Sequence, residues 1–254
     1  MSSADFFFVL ENLVVRDFKI RYRNMSLGIV WSLLNPLVMM GVLVLVFTFV
    51  FPDRSRHAFP VFILCGLVPF NFFTIAWSSG MTCVVENAGM VKRVPLPRIL
   101  LPLASVLSNC VHMFIQIGLL LAFDLAFGFG VNRYWTWLPV VWLFEILFVT
   151  GVVMASCALD VYVRDLRYVV DSIIRIIFWM VPIFYTVENI PIRYRGAYEF
   201  NPIAALTHAL RRILMEAAAP PAEVLWKLSI SSLVVLVAGW LIFRRLQPDF
   251  YNHL

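Results

Sequence analysis

Charged residues are scarce in this chain. Only 14% of its 254 residues are Asp, Glu, Lys or Arg, whereas 62% are hydrophobic and the mean hydropathy is +0.88. A soluble domain averages about 25% charged and about 45–50% apolar residues, and it cannot hide this much apolar surface from water. The composition therefore excludes a soluble enzyme, a disordered chain and a secreted disulfide scaffold. It predicts a polytopic membrane protein.

Motifs for metal, disulfide or nucleotide chemistry are also lacking. No GxxxxGK[ST], GxSxG or HExxH motif occurs, and the four histidines show no ligand spacing. Asp160, Asp165 and Asp171 lie close together, but neighbouring arginines favour ion pairs over a metal site. We therefore predict no metal, no cofactor and no catalytic activity in this chain. The four cysteines lie in or beside apolar runs without CxxC spacing, which favours packing over disulfides: Cys65, Cys83, Cys110 and Cys157.

Six apolar runs are long enough to cross a membrane. A helix needs about 20 residues to span the hydrocarbon core. Within lipid, the backbone N–H and C=O groups of such a run must bond one another, as they do in a helix. The sequence thus predicts an all-α fold with six transmembrane helices in a single domain, 1–254. Residues 26–187 hold spans one to five, and 223–254 hold span six and a short tail. The runs are Asn24–Pro52, His57–Val85, Ile99–Phe123, Tyr134–Leu159, Tyr168–Val187 and Glu223–Phe243.

The distribution of positive charge predicts the orientation. An even number of spans leaves both termini on one side, and the short segments of that side carry most of the Lys and Arg. Because short cytoplasmic loops are enriched in these residues, we predict that both termini are cytoplasmic. The same rule explains the pI of about 9.2, so a nucleic-acid partner has no separate support.

The N-terminal segment, 1–25, is predicted to be an amphipathic helix on the cytoplasmic membrane surface. Asp17 and Arg21 have the spacing of an i, i+4 ion pair. One stripe of the helix is polar and another is apolar: Asn12, Arg16, Lys19 and Arg23, against Phe7, Leu10, Val14 and Phe18.

A polar turn separates spans two and three. The segment from Glu86 to Arg98 is too polar for lipid, and Pro95 and Pro97 stop any helix there. Before them, the sequence predicts a short helix over about 87–93. We expect this helix to lie at the cytoplasmic mouth of the protein.

The segment 188–222 is predicted to form two short re-entrant helices between spans five and six. Pro202 biases Asn201 away from helix, so a break is expected there. The second helix has one apolar face, which we expect to pack against spans one and five. Tyr194, Tyr198 and Phe200 are expected at the membrane interface.

A few ionisable residues fall inside the predicted spans, where they are candidates for function. Asp171 and Arg175 are i, i+4 on span five and are predicted to form an intramembrane ion pair, with a role in gating left open. Asp124 and Glu145 have no cation nearby in sequence, and a proton relay is the open alternative for them.

The order of motifs resembles the ABC-2 type permeases that export O-antigen and teichoic-acid polysaccharides. The N-terminal run from Arg16 to Pro36 resembles the start of these permeases, and Lys92 to Arg98 is similar to their turn between spans two and three. Pro182–Tyr185, followed by Asn201–Pro202 and Arg211, is similar to their C-terminal signature. The resemblance covers nearly the whole chain.

The resemblance implies a transport subunit. Members of the family are homodimers of six-span subunits, each paired with a cytoplasmic ATP-binding subunit that holds ATP and Mg and is also present in two copies. Their substrate is a long glycan on an undecaprenyl-diphosphate lipid, moved across the inner membrane of a bacterium. The N-terminal helix and the turn after span two contact the ATPase. The helices between spans five and six close an outer gate, which is expected to comprise five residues beside the leaving glycan: Tyr194, Tyr198, Phe200, Asn201 and Pro202.

These implications assign candidate residues to two roles. The substrate pathway is expected along spans one and five, lined by Trp31, Asn35, Phe178 and Tyr185. The surface that docks the ATPase is expected to comprise seven polar residues: Arg16, Lys19, Arg23, Glu86, Asn87, Lys92 and Arg93.

Three alternatives stay open. The first is a membrane-embedded transferase acting on lipid-linked glycans, which needs convergent catalytic groups in one cavity. The second is a secondary transporter, which usually shows inverted repeats. The third is an exporter of the same family that carries another substrate, such as capsule or a small lipophile.

Overall fold

A computed structural model describes residues 3–23, 28–50, 58–93, 96–186 and 190–254. Within these ranges the protein is built from α-helices, a π-helical segment after α2 (Val46–Val50), short 3₁₀ turns and connecting segments, with no strand. The helices are α1 (Ser3–Tyr22), α2 (Trp31–Leu45), α3 (Phe59–Met81), α4 (Cys83–Glu86), α5 (Ala88–Arg93), α6 (Leu100–Ala126), α7 (Leu138–Asp160), α8 (Leu166–Met180), α9 (Ile192–Glu199), α10 (Pro202–Leu214), α11 (Ala222–Leu246) and α12 (Phe250–His253).

Five helical segments of the described chain are long and apolar enough to cross a membrane. They are Gly28–Val50, Phe59–Met81, Leu100–Ala126, Arg133–Asp160 and Ala222–Asp249. They correspond to predicted spans one, two, three, four and six, and they confirm an all-α polytopic membrane protein.

The fifth predicted span is shorter than the others. Helix α8 has 15 residues, which extend about 22 Å, less than the roughly 30 Å of the hydrocarbon core. The chain continues without helix through Thr186. A crossing here would therefore need this non-helical segment as well as α8, and the count of six spans stays a prediction.

The apolar core lies mainly around α3. Nearly every residue from Val61 to Phe73 is buried, and α3 packs against α2, α6, α7, α8 and α10. By contrast, α2 buries only Ser32, Pro36 and Leu43. Helix α3 is thus the central element, and α2 is peripheral within a single subunit.

The closest helix pairing joins α7 to α11. A Cβ placed on Gly239 would lie 2.0 Å from the carbonyl oxygen of Gly151, so only glycine permits the two backbones to approach this closely. This crossing fixes the last long helix against the centre of the bundle.

Both chain ends lie at the same end of the bundle. A second apolar cluster contains Leu13 of α1 and Phe250 of α12, together with Leu100 at the start of α6 and Val161 just after α7. The C-terminal segment is also held by hydrogen bonds, from the Tyr162 hydroxyl to the Leu246 carbonyl (2.8 Å) and from Arg98 to the Gln247 carbonyl. We call this region, with α4 and α5, the docking end.

The opposite end carries α9 and α10, and we call it the gate end. The start of α3 and the segment 181–186 after α8 also lie there, because Phe184 stacks on Phe47 at 5.3 Å and Arg211 of α10 contacts Phe62. The loop between α2 and α3, 51–57, lies outside the described residues.

Candidate functional site

Helix α1 lies along the start of α6 at the docking end, which confirms the predicted N-terminal helix. Its packed face includes Phe6, Val9 and Leu10 around the buried Leu13. The predicted apolar stripe is therefore wrong at Phe7, whose side chain is 68% exposed. The prediction failed there because α1 packs against the rest of the protein along one face only, and Phe7 lies outside that face.

A polar cleft of about 420 Å³ opens between α1 and α4. Arg16 and Asp17 line one wall, whereas Glu86 and Asn87 line the other. Three of the seven predicted docking residues are thus brought together around one opening. The remaining lining residues are Ile20, Arg21, Ser79, Cys83, Ser105 and Ser108.

The charges of α1 pair differently from the prediction. Arg16 donates to Asp17 at 2.7 Å, so the predicted pair of Asp17 with Arg21 is not formed. Arg21 instead donates to the Asn109 side-chain oxygen at 2.5 Å, and the Asn109 amide donates to Ser79. Burial lowers the pKa of Arg21 from its ordinary value. The spacing rule failed because α6 supplies a partner 88 residues away in sequence.

The other four docking residues are exposed at this end. Lys19 and Arg23 lie on the outer side of α1, and Lys92 and Arg93 end α5. The short helix predicted over about 87–93 is confirmed by α5. The predicted helix stop at Pro95 lies outside the described residues.

A hydrogen-bonded group joins α1, α2 and α6 beside the cleft. The Tyr22 hydroxyl lies 2.9 Å from the Ser32 hydroxyl and also bonds Nε2 of His112. Burial raises the pKa of Tyr22 above its ordinary value. The Gln116 amide donates to the Ser32 carbonyl at 3.2 Å.

This last bond has a cause in the sequence. Pro36 stands four residues after Ser32 and has no N–H, so the Ser32 carbonyl loses its helical partner. Gln116 supplies the missing donor from α6. This group was not predicted from the sequence, although the Ser-x-x-x-Pro spacing indicates a carbonyl oxygen that lacks its helical hydrogen-bond donor.

The predicted pathway residues fall at both ends. Trp31 and Asn35 are exposed in the first turns of α2, near the docking end. Phe178 packs edge-to-face on Phe70 at 5.3 Å near the gate end, and the Tyr185 hydroxyl bonds the carbonyl oxygens of the last turn of α8. Exposed residues continue the face begun by Trp31 and Asn35 at helical spacing: Val38, Val42, Leu45 and Phe49.

The predicted outer-gate helices form with the expected break. Helix α9 ends at Glu199 and α10 begins at Pro202, where the Asn201 side chain accepts a hydrogen bond from the Ile203 N–H at 3.1 Å. Tyr194 and Phe200 are exposed, while Tyr198 is half-buried. Residues 187–189, where the predicted segment begins, lie outside the described part of the chain.

The packing of α10 differs from the prediction. Its apolar face packs mainly against α3, α7 and α11, which correspond to predicted spans two, four and six. The prediction had placed it against spans one and five, which correspond to α2 and α8. Almost every residue from Pro202 to Leu214 is buried. The difference arises because α10 caps the centre of the bundle, whereas α2 and α8 lie at its periphery.

Arg211 ties the gate end together. Its guanidinium donates to the carbonyl oxygens of Pro182 (2.6 Å), Ile183 (2.8 Å) and Tyr185 (3.2 Å), and to that of Phe62 (3.3 Å). It also lies over the Phe62 ring. This role of Arg211 was not predicted from the sequence, although an arginine on the apolar face of a helix is a signal for such a buried cation.

The predicted ion pair between Asp171 and Arg175 is absent, since no oxygen and nitrogen of the two lie within 4.0 Å in the described structure. Both side chains are exposed on α8, and exposed pairs at this spacing gain little from contact. Asp124 and Glu145 are fully buried, and their carboxyl oxygens have no hydrogen-bond partner among the residues that the structure describes.

No group of three or more potential metal ligands occurs in the part of the chain that the structure describes. The three acidic residues considered for a metal site do not lie in one environment. Asp160 is buried and lies 3.5 Å from Arg167, whereas Asp165 and Asp171 are exposed.

Comparison with known proteins places this geometry in context. Residues 9–215 match the family described as ABC-2 type transporter. The chain belongs to this family. Members are membrane subunits of ABC exporters whose ATPase activity resides in a separate subunit. The chain is therefore a transport subunit, and the transferase and secondary-transporter alternatives are wrong.

Several relatives match the chain along nearly its whole length. It is 29% identical to the O-antigen export system permease protein RfbA of Myxococcus xanthus, over 95% of this chain and 94% of that protein. It is 26% identical to RfbA of Klebsiella pneumoniae, over 96% and 95%. It is 23% identical to the polysialic acid transport protein KpsM of Escherichia coli, over 92% of each.

Proposed function

We propose that the chain is the permease subunit of an ATP-driven exporter that moves a lipid-linked polysaccharide, such as O-antigen or teichoic acid, across the inner membrane of a bacterium. The glycan is carried on undecaprenyl diphosphate. The observation that carries the proposal is similarity over 95–96% of the chain to O-antigen export permeases. That similarity extends over both the docking end and the gate end.

The docking end supports a partner that hydrolyses ATP. The cleft between α1 and α4 exposes Glu86, and four basic residues are exposed at the same end of the bundle: Lys19, Arg23, Lys92 and Arg93. Charged groups stay solvated unless a complementary surface covers them. A cytoplasmic ATPase subunit is the partner that we assign to this surface, in two copies for two permease subunits.

The periphery of the bundle supports a homodimer. Helix α2 exposes Val38 and Val42, the segment directly after it exposes Phe49, and α8 exposes Ile176 and Trp179. A second copy placed against these helices encloses a path lined partly by aromatic rings. Trp31, Asn35, Phe178 and Tyr185 are the residues that we assign to it. Ring faces bind sugars weakly enough for a polymer to slide.

The location of the termini supports the orientation. Helix α1 and α12 share one apolar cluster, so both termini lie on the same side. The excess of Lys and Arg in the short segments of that side assigns it to the cytoplasm.

The experiment combines assembly with export. The chain is co-expressed with the ATPase encoded beside it, in a strain that lacks its own O-antigen exporter, and surface polymer is measured. Reversing Arg16, Lys19 and Arg23 to Glu is expected to abolish capture of the ATPase and export, while the permease still inserts. The matched control reverses Arg133 and Arg193, which lie away from the docking end. Normal capture and export by the triple variant contradicts the docking assignment.

A second candidate substrate follows from the similarity to KpsM, the polysialic acid transport protein. That identity is lower, 23% against 26–29%. Expression in a strain whose own capsule exporter is deleted distinguishes the two. Surface capsule without surface O-antigen overturns the choice of O-antigen.

A further inference from the structure

One hydrogen-bonded group at the docking end has no assigned role in the proposed export function. It consists of Tyr22 on α1, Ser32 on α2, and His112 and Gln116 on α6. Ser32 is its centre, since its hydroxyl bonds Tyr22 and its carbonyl bonds Gln116. Ser32 is only 3% exposed, although it lies in a peripheral helix.

The position of Ser32 on α2 is mechanically special. It lies in the first turn, and Pro36, one turn later, removes the backbone bond that ordinarily holds that turn to the next. A proline of this kind is the usual cause of a helix bend. The base of α2 is therefore held from outside, by Tyr22 and Gln116, where its own ladder is interrupted.

Helix α2 is loosely held within one subunit. Outside its own segment it packs chiefly against α3 and α6, and it buries only three of its 15 residues. Segments with few buried apolar contacts open at low free-energy cost. Helix α1 lies along α6, to which it is joined by the packing of Leu13 and by the bond from Arg21 to Asn109.

We infer that the hydrogen bond between Tyr22 and Ser32 is the joint through which α1 positions α2, so that movement of α1 turns the base of α2 about Pro36. This inference rests on the proposed function, in which the ATPase docks on α1 and α2 lines the pathway. Tyr22 and Ser32 are positioning residues, because neither touches the nucleotide. His112 and Gln116 hold the two partners of the joint on α6.

The joint is tested with Tyr22→Phe, which keeps the ring and removes only the hydroxyl. The complete complex of permease and ATPase is reconstituted in lipid vesicles, and the polymer exported per ATP hydrolysed is measured. This ratio is expected to fall about fivefold, the size that loss of the hydrogen bond to Ser32 gives. Capture of the ATPase and its activity without glycan are expected to stay unchanged, and the melting temperature of the complex is expected to fall by no more than about 2–4 °C.

A double-mutant cycle distinguishes a hydrogen bond that transmits movement from one that only stabilises the fold. Ser32→Ala alone is expected to lower the ratio as much as Tyr22→Phe, and the double variant is expected to lower it no further. Matched controls are Tyr251→Phe, an exposed tyrosine at the same end, and Ser229→Ala on α11. Additive losses in the double variant, or a normal ratio in Tyr22→Phe, overturn the inference.

A direct measurement of α2 completes the test. Spin labels are placed on the exposed Val38 of each of the two copies, and the distance between them is recorded with and without ATP. ATP is expected to change that distance in the unmodified joint and to leave it unchanged in Tyr22→Phe. An equal change in both overturns the joint. Failure of the unmodified complex to assemble or export overturns the proposed function instead, so the two failures are distinguishable.

Discussion

The gate end and the docking end satisfy their polar groups in different ways. At the gate end, Arg211 donates to four backbone carbonyl oxygens, from Phe62, Pro182, Ile183 and Tyr185. At the docking end, beside the open cleft, several side chains bond other side chains, such as Arg21 with Asn109 and Tyr22 with Ser32. Carbonyl oxygens fixed by packing cannot turn away, whereas side chains exchange partners by changing rotamer. The contacts of Arg211 are thus expected to hold one local arrangement more firmly than the side-chain pairs beside the cleft.

Replacing Arg211 at the gate end is expected to give the largest loss of stability. Arg211→Ala leaves buried carbonyl oxygens without donors and is expected to lower the free energy of unfolding by about 3 kcal/mol or more. Arg211→Lys is expected to recover only part of this, because an ammonium cannot reproduce the guanidinium fork. The measurement is thermal unfolding in detergent, followed by export in cells.

The neighbouring Arg212 is the matched control for this prediction. It pairs with Glu216 across exposed surface, and exposed pairs contribute about 0–1 kcal/mol. Arg212→Ala is therefore expected to unfold close to the unmodified protein. Equal destabilisation by the two variants contradicts the special role of Arg211.

The crossing of α7 and α11 connects the two ends and gives the next largest effect. Gly239→Ala places a Cβ 2.0 Å from the Gly151 carbonyl oxygen, so the helices must separate, at a cost of about 1–3 kcal/mol. Gly118→Ala on α6 is the control, since nothing lies within 4 Å of its Cβ position. A melting temperature for Gly239→Ala equal to that of Gly118→Ala shows that the helices do not meet there.

The sequence predicts the helices better than it predicts their contacts. Apolar runs reveal spans because the bilayer sets a minimum helix length, and Pro202 marks the break between α9 and α10 by its own covalent structure. These signals are local. The partners of Arg211 lie 26 to 149 residues away, and no periodicity encodes which carbonyl oxygens meet one guanidinium.

The docking residues show the same division. The stripe of Arg16, Lys19 and Arg23 is legible from helical spacing, yet Arg21 bonds Asn109 instead of Asp17 because α6 packs beside α1. Phe7 is exposed for a related reason, since the line along which α1 meets α6 is a tertiary property. Spacing on one helix identifies what is available for pairing, and packing decides what is paired.

Surface labelling sharpens the description of the gate end. In a variant without the four native cysteines, single cysteines are introduced along α10 and exposed to a membrane-impermeant thiol reagent from outside the cell. Positions His208, Arg212 and Glu216, which are partly or fully exposed, are expected to react, whereas Leu206 and Leu210 are fully buried and are expected not to. Uniform reaction of all five positions contradicts a packed α10, and reaction only from the cytoplasmic side contradicts the orientation.

The smallest effect is expected on α8, midway between the two ends. Asp171 and Arg175 have the spacing of an ion pair but form none, so Asp171→Asn is expected to change the free energy of unfolding by less than about 0.5 kcal/mol. Glu223 on α11 has the same spacing to Lys227 and does pair with it, at 2.6 Å, against a side chain that is 9% exposed. Glu223→Gln is therefore expected to cost more, about 0.5–1 kcal/mol, because it leaves a largely buried ammonium with a weaker partner.

The decisive variant exchanges the charges of α8, Asp171→Arg with Arg175→Asp. If a pair existed within one chain, the exchange would restore whatever stability the single change removes. The structure predicts no such restoration in thermal unfolding of the detergent-solubilised chain, because neither side chain depends on the other.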